Sequence, residues 1–186
     1  VNDIAKGAAL MTRTKLSVKV DTDCHELIVN DPLSELFHTN LTKIGPPKFD
    51  EQEIAFARRI QQPLVEEFGA VYPLAIADKV ESLEESRVTS KGSTDVGDIS
   101  WYVPTGGMRT SCMAAESPGH SWQNVACIGS SIGEKGIIYG AKTIAITALD
   151  LMLKPELVLE AKADWKKRME GRKYTTLIPK GQKPPV

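Results

Sequence analysis

Residues 91–105 read KGSTDVGDISWYVPT, and residues 118–122 read PGHSW. In the first stretch Ser93, Thr94, Asp95 and Asp98 stand among glycines; in the second His120 sits in a Gly and Ser setting. Small hydroxyls and carboxylates can orient a polar substrate, and an imidazole can ligate a transition metal or shuttle a proton. Neither type is specific by itself. Ser93 to Asp98 also read as a Gly-Asp turn capped by its own side chains, and His120 as a loop histidine bonded to backbone.

Other residues offer less chemistry. Glu66-Glu67 falls on the polar side of an expected helix, and Glu84-Glu85 in the charged stretch VESLEESRV, which reads as a solvated face. His25 follows Cys24 at an expected strand end, where neighbours point to opposite faces and cannot easily share one metal. His38 lies mid-helix in SELFHTNL. The three cysteines show no CxxC spacing, which argues against structural zinc and a disulfide framework and suits a reducing cytoplasm.

The elements that must hold these residues follow from periodicity and punctuation. Val1, Ile4, Ala8 and Met11 share one face of an amphipathic helix, and LSVKV at 16–20 alternates like a half-buried strand. Asn30-Asp31-Pro32 starts a helix and Gly45-Pro46-Pro47 stops it. Asp50 caps the next, with Glu53 completing a capping box; Pro63 inside its pattern should kink or end it. Residues 70–92 read as a long loop with a short helix around 79–85. DISWYVP and the NVACIGSS run are expected strands, the second fully buried. A turn with Gly129 and Gly133 leads into a helix over about 135–153, apolar on more than one face. Pro155 opens a last helix closed near Gly171, and the tail PKGQKPPV is expected to be flexible.

With 186 residues, 41% hydrophobic, 25% charged and a net charge of −1, the chain can build a proper core. Balanced charge gives no reason to expect nucleic acid or an anionic membrane surface as partner. The apolar run GIIYGAKTIAITALDLML is interrupted by Lys142 and Asp150, so no membrane span is expected. The chain starts at Val1 without Met, as a fragment would.

The ordered set VNDIAKGAALMTRTKLSVKV, LIVNDPLSELFHTNL, DEQEIAFARRIQ, GSTDVGDISWYVP and PGHSWQNVACIGSSIGEKGIIYGAKTIAITALDL resembles, over residues 1 to about 153, the C-terminal part of the dinuclear metallo-amidohydrolases, a family that includes the aminoacylases and the p-aminobenzoyl-glutamate hydrolases. The resemblance implies an α/β fold with helices packed on a mixed sheet, the C-terminal half of a zinc-peptidase-like catalytic domain. It divides the chain into the end of an α+β lid domain over 1–28, catalytic-domain residues over 29–172 and a flexible tail over 173–186.

By the same resemblance His120 is a metal ligand and Ser93, Thr94 and Asp95 line the substrate cleft. Thr94 stands where many relatives carry an acid. The cofactor implied is a pair of divalent ions, zinc or manganese; the substrate implied is a small amide of the p-aminobenzoyl-glutamate class. Its general base and remaining ligands are expected upstream of this chain. A homo-oligomer or a heteromeric partner subunit is expected, and a non-catalytic subunit that docks a catalytic partner is the alternative. A plain binding module without metal is a third reading.

Overall fold

The computed structural model describes residues 1–69, 71–83, 92–176 and 178–183, and more than half of these are helical. The helices are α1 (Asn2–Thr12), α2 (Asp31–Ile44), α3 (Glu51–Phe68), α4 (Val96–Ser100), α5 (Trp122–Ile128), α6 (Ser131–Leu153) and α7 (Pro155–Met169). Of the expected short helix around 79–85, residues 79–82 are not helical and Leu83 is, while 84 and 85 lie outside the described residues.

Local chemistry sets most of these boundaries. At the start of α2 the Leu33 N–H donates to the Asn30 side chain at 3.2 Å, and Gly45 with φ 78° ends the helix. At α3 the capping box is complete: the Glu53 N–H donates to Asp50 Oδ1 at 2.9 Å, and the Asp50 N–H donates to Glu53 Oε2 at 2.8 Å. Pro63 does not end α3, which runs on to Phe68. It lies on the exposed face, where water can reach the Arg59 carbonyl left without its donor.

The expected sheet is corrected. Among the described residues there is no strand, so the fold is not helices on a mixed sheet. Residues 16–20 form no element and have no ladder partner among the described residues, and a ladder is a strand's only source of backbone bonds. The DISWYVP segment begins as α4, and its turns continue through Val103, whose N–H donates to the Ile99 carbonyl at 3.1 Å. NVACI lies in α5, where Ser121 caps the start and Gln123 and Cys127, four apart, form the buried side. A short apolar run satisfies either geometry; here the serine cap and self-contained helical bonding favour the helix.

The apolar core gathers Ala57 and Ile60 of α3, Cys127 of α5, Ile132 of α6 and the non-helical residues Ala75, Ile76 and Ala114. Gln61 is buried beside it with both ends bonded, its Nε2 donating to the carbonyls of Leu74 at 2.9 Å and Ala115 at 3.0 Å, while Arg58 donates to its Oε1. A buried amide satisfied this way fixes the 72–76 and 114–115 segments to α3.

A second layer packs α2, α6 and α7 against one another. Its inward stripe is Ile132, Gly133, Gly136, Tyr139, Gly140, Thr143 and Thr147. Asn40 donates to Thr147 Oγ1 and Asp150 Oδ2, both at 3.1 Å, and Arg168 ties α7 to Asp31 of α2 at 2.6 Å. The outward face of α6 carries Ile137, Ile144 and Met152, which are 57%, 56% and 80% exposed. By length and composition alone α6 would also satisfy a membrane span, a test that the core helix of a soluble protein passes equally.

Candidate functional site

Ser93, Thr94 and Asp95 are exposed and lead directly into α4. The turn is closed by the Gly97 N–H donating to the Thr94 carbonyl and the Asp98 N–H to the Asp95 carbonyl, both at 3.1 Å. The Val96 N–H also reaches Thr94 Oγ1 at 3.4 Å. Thr94 therefore serves its own turn, whereas the Asp95 side chain makes no capping bond. Asp98 faces inward and accepts from the His25 N–H at 3.3 Å. It also bonds the Tyr174 side chain, whose phenol is pushed up by burial and then by this neighbouring carboxylate.

His120 lies in the turn before α5. Ser121 closes that turn by donating its hydroxyl to the Pro118 carbonyl at 2.7 Å and accepts from the Asn124 N–H at 3.4 Å as the α5 cap. The imidazole is exposed, and the His120 backbone is left-handed with φ 54°. A non-glycine residue there holds a conformation costing on the order of 1 kcal/mol, which the surroundings must enforce. Flanking it, Ser117 Oγ and Asn124 Oδ1 are buried and have no hydrogen-bond partner among the described residues. Sequence inspection had no signal for either orphaned atom, since burial and pairing are tertiary properties.

The residues present do not by themselves fit a dinuclear metal centre. Among the described residues no group of three or more His, Cys, Asp and Glu side chains could hold an ion. The other two histidines are used elsewhere. His38 Nε2 bonds the Glu81 carbonyl at 2.9 Å; His25 Nε2 bonds the Thr175 carbonyl at 2.8 Å, and its ring lies tilted against both Trp101 and Tyr174, 4.7 Å from each. Of the carboxylate pairs, Glu66 and Glu67 are exposed on α3, and Glu84-Glu85 lies outside the described residues. An open groove of about 470 Å³ between residues 44–48 and α6 contains none of the expected site residues.

Comparison with known proteins points to one class, enzymes that hydrolyse amide bonds. The chain is similar to a subunit of the p-aminobenzoyl-glutamate hydrolase of Escherichia coli K12, with 31% identity over an alignment of 204 residues that takes in 99% of this chain and 42% of the relative. It is also similar to human Xaa-Arg dipeptidase, 30% identical over 87 residues, 47% of this chain and 20% of that protein. The likeness stated from the motifs therefore extends over nearly the whole chain. The chain spans less than half the length of either relative. No family model and no solved structure matches it.

Proposed function

We propose that this chain supplies part of a metal-dependent amide hydrolase that cleaves an acyl or aryl group from an amino acid, with p-aminobenzoyl-glutamate as the substrate class. The similarity over 99% of the chain to a hydrolase subunit of that name carries the reading. In it His120 donates one imidazole nitrogen to a divalent ion, zinc or manganese, whose other ligands and base come from outside this chain. Ser93, Thr94 and Asp95 contribute polar groups to the substrate cleft. The exposure of all four side chains and the left-handed backbone of His120 support these roles. Residues 1–28 belong to a lid and the following residues to the catalytic part, working in a reducing cytoplasm that keeps Cys24, Cys112 and Cys127 as free thiols.

A second reading has a specific observation behind it. The outward apolar face of α6 suits coverage by another protein surface, and the relative is named as a subunit, so the chain is alternatively a non-catalytic subunit that docks a catalytic partner. Metal content and p-aminobenzoyl-glutamate hydrolysis, measured on the purified chain with and without added zinc or manganese, test both. Stoichiometric metal with turnover would refute the incomplete site. Hydrolysis that appears only when a longer partner is added, and is lost with His120→Ala, is the expected result. Hydrolysis by the pair that survives His120→Ala would leave only the docking role.

A further inference from the structure

After α7 the chain turns at Gly171, φ 72°, and lies alongside residues 20–28. Arg172 pairs with Glu26 at 3.4 Å, and its guanidinium sits 5.5 Å over the Trp101 ring. The Thr175 carbonyl bonds His25, Thr176 Oγ1 donates to Asp23 Oδ2 at 3.1 Å, and the Gln182 side chain donates to the Val20 carbonyl. Residues 172, 175, 176 and 182 thus meet 26, 25, 23 and 20 in turn, so the two segments run antiparallel. Their charges are complementary: Arg172, Lys173, Lys180 and Lys183 on one side, Asp21, Asp23 and Glu26 on the other.

The same contacts reach α4. The Tyr174 ring lies 4.7 Å from His25 and 5.1 Å from Tyr102, beside Trp101 at 6.3 Å. Residues 25–28 in turn bond α4 and its last turn: the Ile28 N–H donates to Ser100 Oγ at 2.8 Å, and Trp101 Nε1 donates to the Glu26 carbonyl at 3.0 Å. The backbones themselves touch, because a Cβ at Gly97 would collide with the His25 carbonyl oxygen. A five-residue helix cannot stand alone, and an extended segment without a ladder has no backbone pairing of its own.

We propose that residues 172–176 and 178–182 form a strap that holds residues 20–28 and α4 as one unit, and through α4 places the loop carrying Ser93, Thr94 and Asp95. Tyr174, Arg172 and His25 are positioning residues in it. The strap carries α1 as well, since α1 buries no residue of its own and joins the body through the strapped segment. The inference does not depend on the hydrolase reading.

Hydrogen exchange on the full chain tests it, with the amides of His25, Ile28 and 101–103 as reporters and those of α2, α6 and α7 as internal reference. Tyr174→Ala is expected to speed the reporters about tenfold or more, a loss of ~1.4 kcal/mol of local protection, with the reference helices unchanged. Tyr174→Phe, which keeps the ring contacts and gives up only the phenol's bond to Asp98, is expected to recover most of that protection, and Gly97→Ala should release the same reporters from the other side. Unchanged reporters in Tyr174→Ala, an equal rise throughout the reference helices, or failure of Phe to restore protection would each overturn the strap. None of these readouts involves metal or substrate.

Discussion

Lys135 Nζ stands 2.6 Å from Glu53 Oε2, joining the start of α6 to the first turn of α3. Ser131 donates its hydroxyl to the other carboxylate oxygen, also at 2.6 Å, and the Asp50 N–H completes the set. Glu53 is only 6% exposed. Burial alone would push its carboxyl up; the bonds from Lys135, Ser131 and the Asp50 backbone, with the Lys135 charge, outweigh it and hold the group below the ordinary carboxylate range.

A carboxyl whose native pKa is depressed contributes stability that is complete above its unfolded value, about 4.3, and is lost as pH falls from there through the lower native value. Acid unfolding of the wild type should therefore steepen below about pH 4.3, and Glu53→Gln should flatten that limb. Near neutral pH the same substitution should cost about 1–3 kcal/mol, since it leaves a charged donor short of its partner. Urea titrations across the acid range check this; identical pH slopes for the two proteins would refute it.

His120→Gly separates a functional residue from a structural one. Glycine tolerates φ 54° without a Cβ penalty, so the variant should match wild type in thermal stability or exceed it by up to ~1 kcal/mol. Under the proposed function it should also abolish metal uptake in the assembled hydrolase. A clear fall in melting temperature would mean that the imidazole itself holds the turn.

Gly136 marks a close approach of α6 to the 111–112 segment. A Cβ there would lie 2.5 Å from both Cys112 Sγ and the Ser111 carbonyl oxygen. Alanine is the better helix former, yet Gly136→Ala should destabilise by about 1–3 kcal/mol because backbone has to move. Gly7 on α1, with nothing near it, is the control: Gly7→Ala should be neutral or stabilising.

The outward face of α6 should behave as surface in the isolated chain. Replacing Ile137 and Ile144 together by Glu is expected to change stability by no more than about 0.5 kcal/mol per site while reducing self-association in light scattering. A loss of several kcal/mol would show that these side chains are packed within the chain. If a partner surface covers this face, the same pair of substitutions should weaken its binding.

Helix ends were legible because their chemistry is local. Asn30 with Pro32, Asp50 with Glu53, Gly45, Pro155 and Gly171 act on backbone groups within a few residues, and each does in the structure what its spacing implies. The candidate site was legible only as residue types. The GSTD segment carried two readings, and its bonding shows Thr94 serving the turn without deciding what Asp95 does. The strained backbone at His120 and the unpaired atoms of Ser117 and Asn124 had no signature in the residue order.

By itself the sequence determined where α2 and α7 begin and stop and where α3 begins, which residues could do chemistry and which hydrolases the chain is similar to. Tertiary structure alone decided whether NVACI and DISWYVP were strands or helices, because a short apolar run suits either until its partners are in place. It also decided that Glu53 meets Lys135, that Gln61 bridges two non-helical segments, and that the residues after Gly171 lie along residues 20–28. These contacts join residues far apart in sequence, and nothing in the spacing along one segment specifies which distant segment will close against it.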